Sequence, residues 1–298
     1  MYSGATDIGQ GSNTILPMMA AEELGVKASD LHFVSGDTQL TPFDLGAFSS
    51  RTTYAAGKAV IMAAREINKK LYETAALQLG VSAGHLRCKD GVIYSIYEPK
   101  KRIAFMTAVA GYIDAKGPLT ATGHYSPPRK GMKGVQGANI GQSPTFGFSA
   151  QVAEVEVNLE TGQVKIVKIT EAGDCGQAIN PMSVEGQVEG SIIMGMGQAL
   201  YEEMKLTPDG QVISSSLQEY KLPTAADIPE IDSVIVDSYD PTAPFGAKEA
   251  GEGPIQPTIP AIANAICNAI GVRFLELPIT PERILKALKD KKKQEQAG

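Results

Sequence analysis

Apolar positions recur along the chain with two periods, and each period predicts a different element. From Asn13 to Leu24 the residues Ile15, Leu16, Met19, Ala20 and Leu24 make one face of a helix that Gly25 ends. A longer helix runs from Tyr54 to about Leu79, with Ala, Ile and Met on one side, "REINKK" on the other and Gly80 closing it. Between Ser149 and Asp174 the period becomes two, so "SAQVAEVEVNLETGQVKIVKITEAGD" reads as two alternating strands around a Glu-Thr-Gly turn. Shorter strands are expected in "MYSGA", in "LHFVSGD", at Gly91–Tyr97, near Val212 and at Ile231–Ser238. Three more helices are expected at about Ser183–Glu203, Ile259–Ile270 and Pro281–Lys289, the last with Thr280 as N-cap and Pro281 at its first position.

Hairpins alternating with long helices, without a regular strand-helix-strand rhythm, predict an α+β fold of mixed sheets and hairpins packed with long helices. Between residues 111 and 145 the texture changes to Gly, Pro, Lys and Ser, as in "GHYSPPRKGMKGVQGANIGQSP". A stretch of this kind inside a compact domain is usually functional or mobile. It suggests two α+β subdomains, approximately 1–145 and 146–298.

Composition narrows the function more than the fold. The 43% hydrophobic and 20% charged residues of this 298-residue chain suit a folded globular protein. A net charge of -6, from 27 basic and 33 acidic side chains spread along the chain, argues against nucleic acid as a partner. The basic run "KDKKKQ" at 289–294 reads as a solvated helix end. Cys88, Cys175 and Cys267 are odd in number and far apart, which suits neither a disulfide framework nor a metal or iron–sulfur site within this chain. No leader pattern and no run of about 18 apolar residues occurs, so a cytoplasmic protein without a membrane segment is expected.

The usual catalytic signatures GxSxG, HExxH, GxxxxGK[ST] and GxGxxG are missing, and His32, His85 and His124 have no partner at metal-ligand spacing. Gly-Gln, by contrast, occurs seven times, against about two by chance. "TGQV" and "DGQV" are hairpin turns, and the pair at Gly197 lies in a helix where the glycine serves close packing. Gln10, Gln142, Gln177 and Gln187 remain, each in or beside a glycine-containing turn. A glutamine offers donors and an acceptor, a neighbouring glycine permits close approach, and a helix start favours anions. Gly9, Gln10 and Gly11 therefore suit an anion cradle, with an ordinary turn capped by Ser12 or Asn13 as the competing reading. "SSRTT", residues 49–53, is a second donor-rich stretch, and capping competes there too. Glu249 and Glu252 sit among glycines in "GAKEAGEGP", ahead of an apolar helix. A carboxylate so placed would be partly desolvated, which raises its pKa toward the range of a base, with Lys248 and Asp240 as structural salt partners.

The ordered set "DIGQGSNT", "LGAFSSRTTYAAGKAV", "GDCGQAINPMSVEGQVEGSIIMGMGQALYEE" and "GAKEAGEGPIQPTIPAIANAI" resembles the large, molybdenum-cofactor subunit of the xanthine oxidase family. The branch with 4-hydroxybenzoyl-CoA reductase and nicotinate dehydrogenase is the nearest in flavour. The resemblance spans nearly the whole chain and implies a molybdenum-molybdopterin cofactor, in its cytosine dinucleotide form, with no direct protein ligand to the metal. It implies that Gly9, Gln10 and Gly11 hold phosphates, that Ser49, Ser50, Arg51, Thr52 and Thr53 line the pterin or nucleotide, and that Gln187 donates to the pterin. Gly251 flanks Glu252, the implied general base of a hydroxylation or its reverse on an aromatic, N-heterocyclic or aldehyde-type small molecule, with water as the oxygen source. Glu249 receives no role.

The family's large subunit is longer and carries a GGxFGG motif that is not present here. A split subunit is therefore expected rather than a C-terminal fragment. Its partners would be an N-terminal-half molybdopterin-binding subunit, a [2Fe-2S] subunit and an FAD subunit, and the chain alone should not hold an active site. A non-catalytic assembly subunit of such a complex is the alternative.

Overall fold

The computed structural model describes residues 1–126 and 145–297. Gln142 and most of the "HYSPPRKGMKGVQGANIGQSP" stretch lie outside the described residues. The chain forms two compact units, Met1–Phe146 with Tyr239–Glu249, and Gly147–Ser238 with Ala250–Gly298.

In the first unit, strand β1 (Tyr2–Ser3) pairs in parallel with β2 (Val34–Ser35), and helix α1 (Ser12–Leu24) runs between them. Helix α2 (Thr52–Leu79) packs along α1. Gly57 makes this approach possible, because a Cβ there would lie 2.8 Å from Met19 Sδ and 3.0 Å from Pro244 Cγ. Gly25 and Gly80 end the two helices in the left-handed conformation, as the sequence predicts. Beyond α2 an antiparallel meander follows: β3 (Leu86–Lys89), β4 (Val92–Ser95) and β5 (Arg102–Ala104). With helix α3 (Phe105–Lys116) it closes a core of Leu71, Ala75, Leu86, Ile93 and Ala108. A single cut near residue 146 does not convey that Tyr239–Glu249 belongs to this unit. Tyr54 Oη donates to Thr242 Oγ1 at 3.1 Å, and Pro244 fills the space beside Gly57.

The second unit is built on the hairpin of β6 (Phe148–Val157) and β7 (Val164–Asp174), which β8 (Glu230–Ile235) extends by pairing in parallel with β7. Helices α4 (Pro181–Leu200) and α5 (Ile255–Ile270) close its core, in which Ile169, Ile192, Ile262 and Ile266 are fully buried, and α6 (Pro281–Ala297) adds Ile284. A bulge after Glu154 keeps the inward phase, so that Val155 pairs with Ile166 rather than with Val167.

Several expected boundaries shift for local reasons. Helix α5 begins at Ile255 rather than Ile259, since Pro257 falls in the first turn, where a missing N–H costs nothing. Helix α6 continues to Ala297 and takes in the basic run. Helix α4 stops at Leu200, and around Val212 there is only a single bridge to Leu206. Residues 111–116, read as irregular, finish α3. Among the described residues no helix is long and apolar enough to cross a membrane.

Candidate functional site

The loop ahead of α1 holds Gly9, Gln10 and Gly11 as the sequence anticipates, but its donors are already engaged. The Asp7 carboxylate accepts the N–H groups of Gly9 (2.8 Å), Gly11 (3.4 Å) and Asn13 (2.9 Å). Burial pushes the Asp7 pKa up, yet the N–H groups of Asn13, Gly9 and Gly11 outweigh it and hold the carboxyl below the usual range. Gln10 is a strut within the loop: Oε1 accepts from Ile8 N at 2.6 Å, and Nε2 donates to Thr6 O at 3.0 Å and Ser12 Oγ at 3.3 Å. Neither Ser12 nor Asn13 caps α1; its N-cap is Gly11, at φ 85°. The capping work falls to Asp7, a residue the sequence reading passed over although a carboxylate two residues before a glycine is a recognisable turn signal.

The "SSRTT" stretch carries strain. Ser49 and Ser50 stand in the left-handed region at φ 49° and 45°, a conformation disfavoured for residues with a Cβ by about 1–2 kcal/mol each. Arg51, the N-cap of α2, makes no side-chain cap bond. Its guanidinium donates to Asp44 Oδ1 (3.0 Å) and Gly46 O (2.9 Å) and stacks on Phe48, while Thr52 and Thr53 form the first turn of α2. Arg51 thus does not take the competing capping role, and consecutive strained residues of this kind concentrate at ligand clamps.

In the second unit α4 carries Gln187 and contacts the loop at Gly251. Ser191 is one turn beyond Gln187 on the same helix face and donates from Oγ to Gly251 O at 2.8 Å. On the far side of Glu252, Pro254 O accepts from Gln151 Nε2 of β6 (2.7 Å) and from Thr258 Oγ1 of α5 (3.0 Å). Thr258 is itself wedged under α4, where a Cβ on Gly195 would lie 2.6 Å from its Cβ. The backbone around Glu252 is thus held from three elements. The Glu252 residue is exposed, which corrects the expected partial desolvation: the short loop between the first unit and α5 leaves it at the surface of this chain. Positive φ in this region falls at Phe245 and Gly246 rather than at Gly251 or Gly253. Gln187 is half-buried, and no hydrogen bond holds its amide among the described residues. Glu249 and the buried Lys248 lie in the first unit, with Asp240, which binds Thr145 and Thr242.

These features define an α+β chain whose candidate residues offer amides, hydroxyls and one carboxylate; among its described residues no group of three or more His, Cys, Asp or Glu could hold a metal ion. The chain belongs to the molybdopterin cofactor-binding domain family, whose model matches residues 1–229. It is 36% identical over 286 residues to the putative xanthine dehydrogenase molybdenum-binding subunit of Escherichia coli (strain K12), covering 95% of this chain and 37% of that protein. To the carbon monoxide dehydrogenase large chain of Hydrogenophaga pseudoflava it is 31% identical over 295 residues, covering 96% of this chain and 35% of the relative. The crystal structure of quinoline 2-oxidoreductase from Pseudomonas putida 86 superposes with a TM-score of 0.86 at 29% identity, over 96% of this chain and 36% of that one. The chain thus spans little more than a third of the length of these relatives.

Proposed function

We propose that the chain is the molybdopterin-binding part of a multi-subunit molybdenum hydroxylase or dehydrogenase, with Glu252 as its general base. The observation that carries this reading is the way Glu252 is held: the nearby carbonyls of Gly251 and Pro254 are fixed by Ser191, Gln151 and Thr258, while the residue itself is exposed. A base needs this combination of fixed backbone and accessible carboxylate. Gln187 offers a half-buried amide beside the same loop, and Gly186, next to it, leaves open space where a side chain would stand. Both fit a cofactor edge, and Gly251 would line it. The strained Ser49 and Ser50, with Arg51, Thr52 and Thr53 behind them, fit a second contact to its pterin or nucleotide portion. When bound, the molybdenum centre supplies the two-electron and oxygen-transfer chemistry; Glu252 takes up the proton at its carboxylate.

The cytosine dinucleotide form, an N-terminal-half partner chain, and [2Fe-2S] and FAD subunits belong to this reading, as does an aromatic, N-heterocyclic or aldehyde-type substrate. Glu252→Gln in the purified complex should abolish turnover with molybdenum content near that of wild type. Wild-type turnover in this variant would remove Glu252 from the base role.

The Gly9–Gly11 loop favours a second reading. Its N–H donors are occupied by Asp7, so a phosphate contact there requires Asp7 to give way. A non-catalytic assembly subunit would keep this loop closed, and oxidation of the cofactor released from the complex would then yield no fluorescent pterin.

A further inference from the structure

A row of polar side chains crosses the core face of the second unit's sheet. Gln151 on β6 pairs with Glu171 on β7, and Glu171 pairs with Ser233 on β8. Side chains in register on one face stand about 4.5–5.5 Å apart at Cβ. Glu171 is fully buried, a rare situation for a carboxylate without a charged partner. Its Oε1 accepts from Ser149 Oγ at 2.7 Å, and its carboxyl lies over Gly173, where a Cβ would come within 2.5 Å of Oε1. Three buried atoms of the row, Glu171 Oε2, Gln151 Oε1 and Ser233 Oγ, have no hydrogen-bond partner among the described residues.

Donor counting bears on two of these orphans. With Glu171 ionised, its Oε2 and Gln151 Oε1, on register neighbours, are both acceptors only; the Ser233 hydroxyl, in register on the other side, can donate to Glu171 but not from both sides at once. A proton on Oε2 turns one of them into a donor for the other. We propose that Glu171 is a positioning residue for the Glu252 loop: held as a neutral acid, it donates from Oε2 to Gln151 Oε1, and so orients the amide that fixes the Pro254 carbonyl. Gln151 Nε2 completes the chain at 2.7 Å from Pro254 O, two residues past Glu252. The catalytic consequence rests on the Glu252 reading above; the protonation state of Glu171 does not.

Burial raises the Glu171 pKa, against the Ser149 hydroxyl, which lowers it. Its polar neighbours in the sheet, Ser149 and Gln151 from β6 and Ser233 from β8, are uncharged, as are Ser191 of α4 and Thr258 of α5, which hold the Glu252 loop. The carboxylates of the surrounding segments are Asp174, three residues along β7 and bonded to Ser238 Oγ and Gly176 N, and Glu252 on the loop; neither contributes to the Glu171 shift. Lys168, Glu154, Glu230 and Asp232 lie on the opposite face of the sheet.

The test combines a direct titration with activity. Carboxyl carbon NMR of the full chain, wild type against Glu171→Gln, should show one resonance, missing from the variant, that titrates above the usual glutamate value of 4.5. A folded pKa above the unfolded one means that stability from Glu171 is complete below 4.5 and lost as the pH rises through the folded value. The melting temperature of wild type should therefore fall relative to Glu171→Gln as the pH climbs from 4.5. A resonance that titrates with the exposed glutamates, or a melting difference independent of pH, overturns the proposal. In the complex, Gln151→Leu and Glu171→Leu should lower kcat at least tenfold with KM little changed, and Glu171→Gln should restore what Glu171→Leu loses. Unchanged kcat in Gln151→Leu overturns the positioning role. Should Glu252→Gln retain turnover, the base assignment falls while the titration still reports on Glu171.

Discussion

At the scale of single residues, charge placement decides more than residue type. Asp7 serves as a remote cap: one carboxylate satisfies three N–H groups at the start of α1. Asp7→Ala should cost about 1 kcal/mol at neutral pH, the usual value of a lost cap. Because the folded pKa of Asp7 is lowered, its contribution is present above the ordinary aspartate value of 3.8 and disappears as the pH falls through the folded one. Denaturant melts of the two proteins should therefore converge in acid; a gap that persists there would mean the loss is not electrostatic. Cys88 shows the opposite environment. Burial, with the charge of Asp90, pushes its thiol up to about 11, and the sulfur faces Gly25 O at 3.5 Å. Alkylation of native protein at pH 8 should leave Cys88 unlabelled until denaturant is added, since the thiolate is the reactive form. Neither environment was legible beforehand. The Gly-Gln turns marked the Asp7 loop correctly, but its donors are filled by a residue whose role appears only when the chain folds back. Glu171 was hidden as well, since strict alternation from Val164 and Ile166 would put it outward and only the bulge that leaves Val167 unpaired turns it inward.

At the scale of elements, glycines that look alike in sequence act differently in α4. Gly195 lies where a Cβ would come 2.6 Å from Thr258, so α4 and α5 meet there because no side chain intervenes. Gly186 and Gly190 would meet nothing. Gly195→Val should destabilise the chain by about 3 kcal/mol through overpacking. Gly190→Ala should stabilise it by about 0.5–1 kcal/mol through helix propensity. Thermal melts that place both on the same side of wild type would refute this division. Gly197, read from the sequence as a packing glycine, makes room for Glu202 and Pro223 rather than for another helix. Periodicity revealed the long helices and the β6–β7 hairpin because their apolar stripes are long, even though a bulge shifts the phase within β7. Strands β3 and β5, of four and three residues, offer too few positions to show alternation, and α3 was hidden in a stretch dominated by its glycine and proline neighbours.

At the scale of the whole molecule, the chain passes between its two units after Phe146, after Ser238 and after Glu249. The last passage separates the two glutamates with which "GAKEAGEGP" seems to offer a pair: Glu249 belongs to the first unit and Glu252 to the second. Local sequence cannot show this, because membership of Tyr239–Glu249 in the first unit depends on Tyr54 and Gly57, nearly two hundred residues earlier. The candidate cofactor residues divide likewise, with Gly9–Gly11 and Ser49–Thr53 in one unit and Gln187, Gly251 and Glu252 in the other. Each unit carries only part of the proposed contact set, and the chain spans 37% of a relative such as the Escherichia coli subunit. Binding by a fraction of the contacts loses affinity steeply, a factor of ten for each 1.4 kcal/mol forgone. The chain purified alone should therefore contain molybdenum and pterin well below one equivalent and show no turnover. Co-expression with a chain supplying the rest of the relatives' length should raise both together. Stoichiometric pterin with full turnover in the isolated chain would refute this expectation, and pterin without turnover would confine the missing part to substrate or electron transfer.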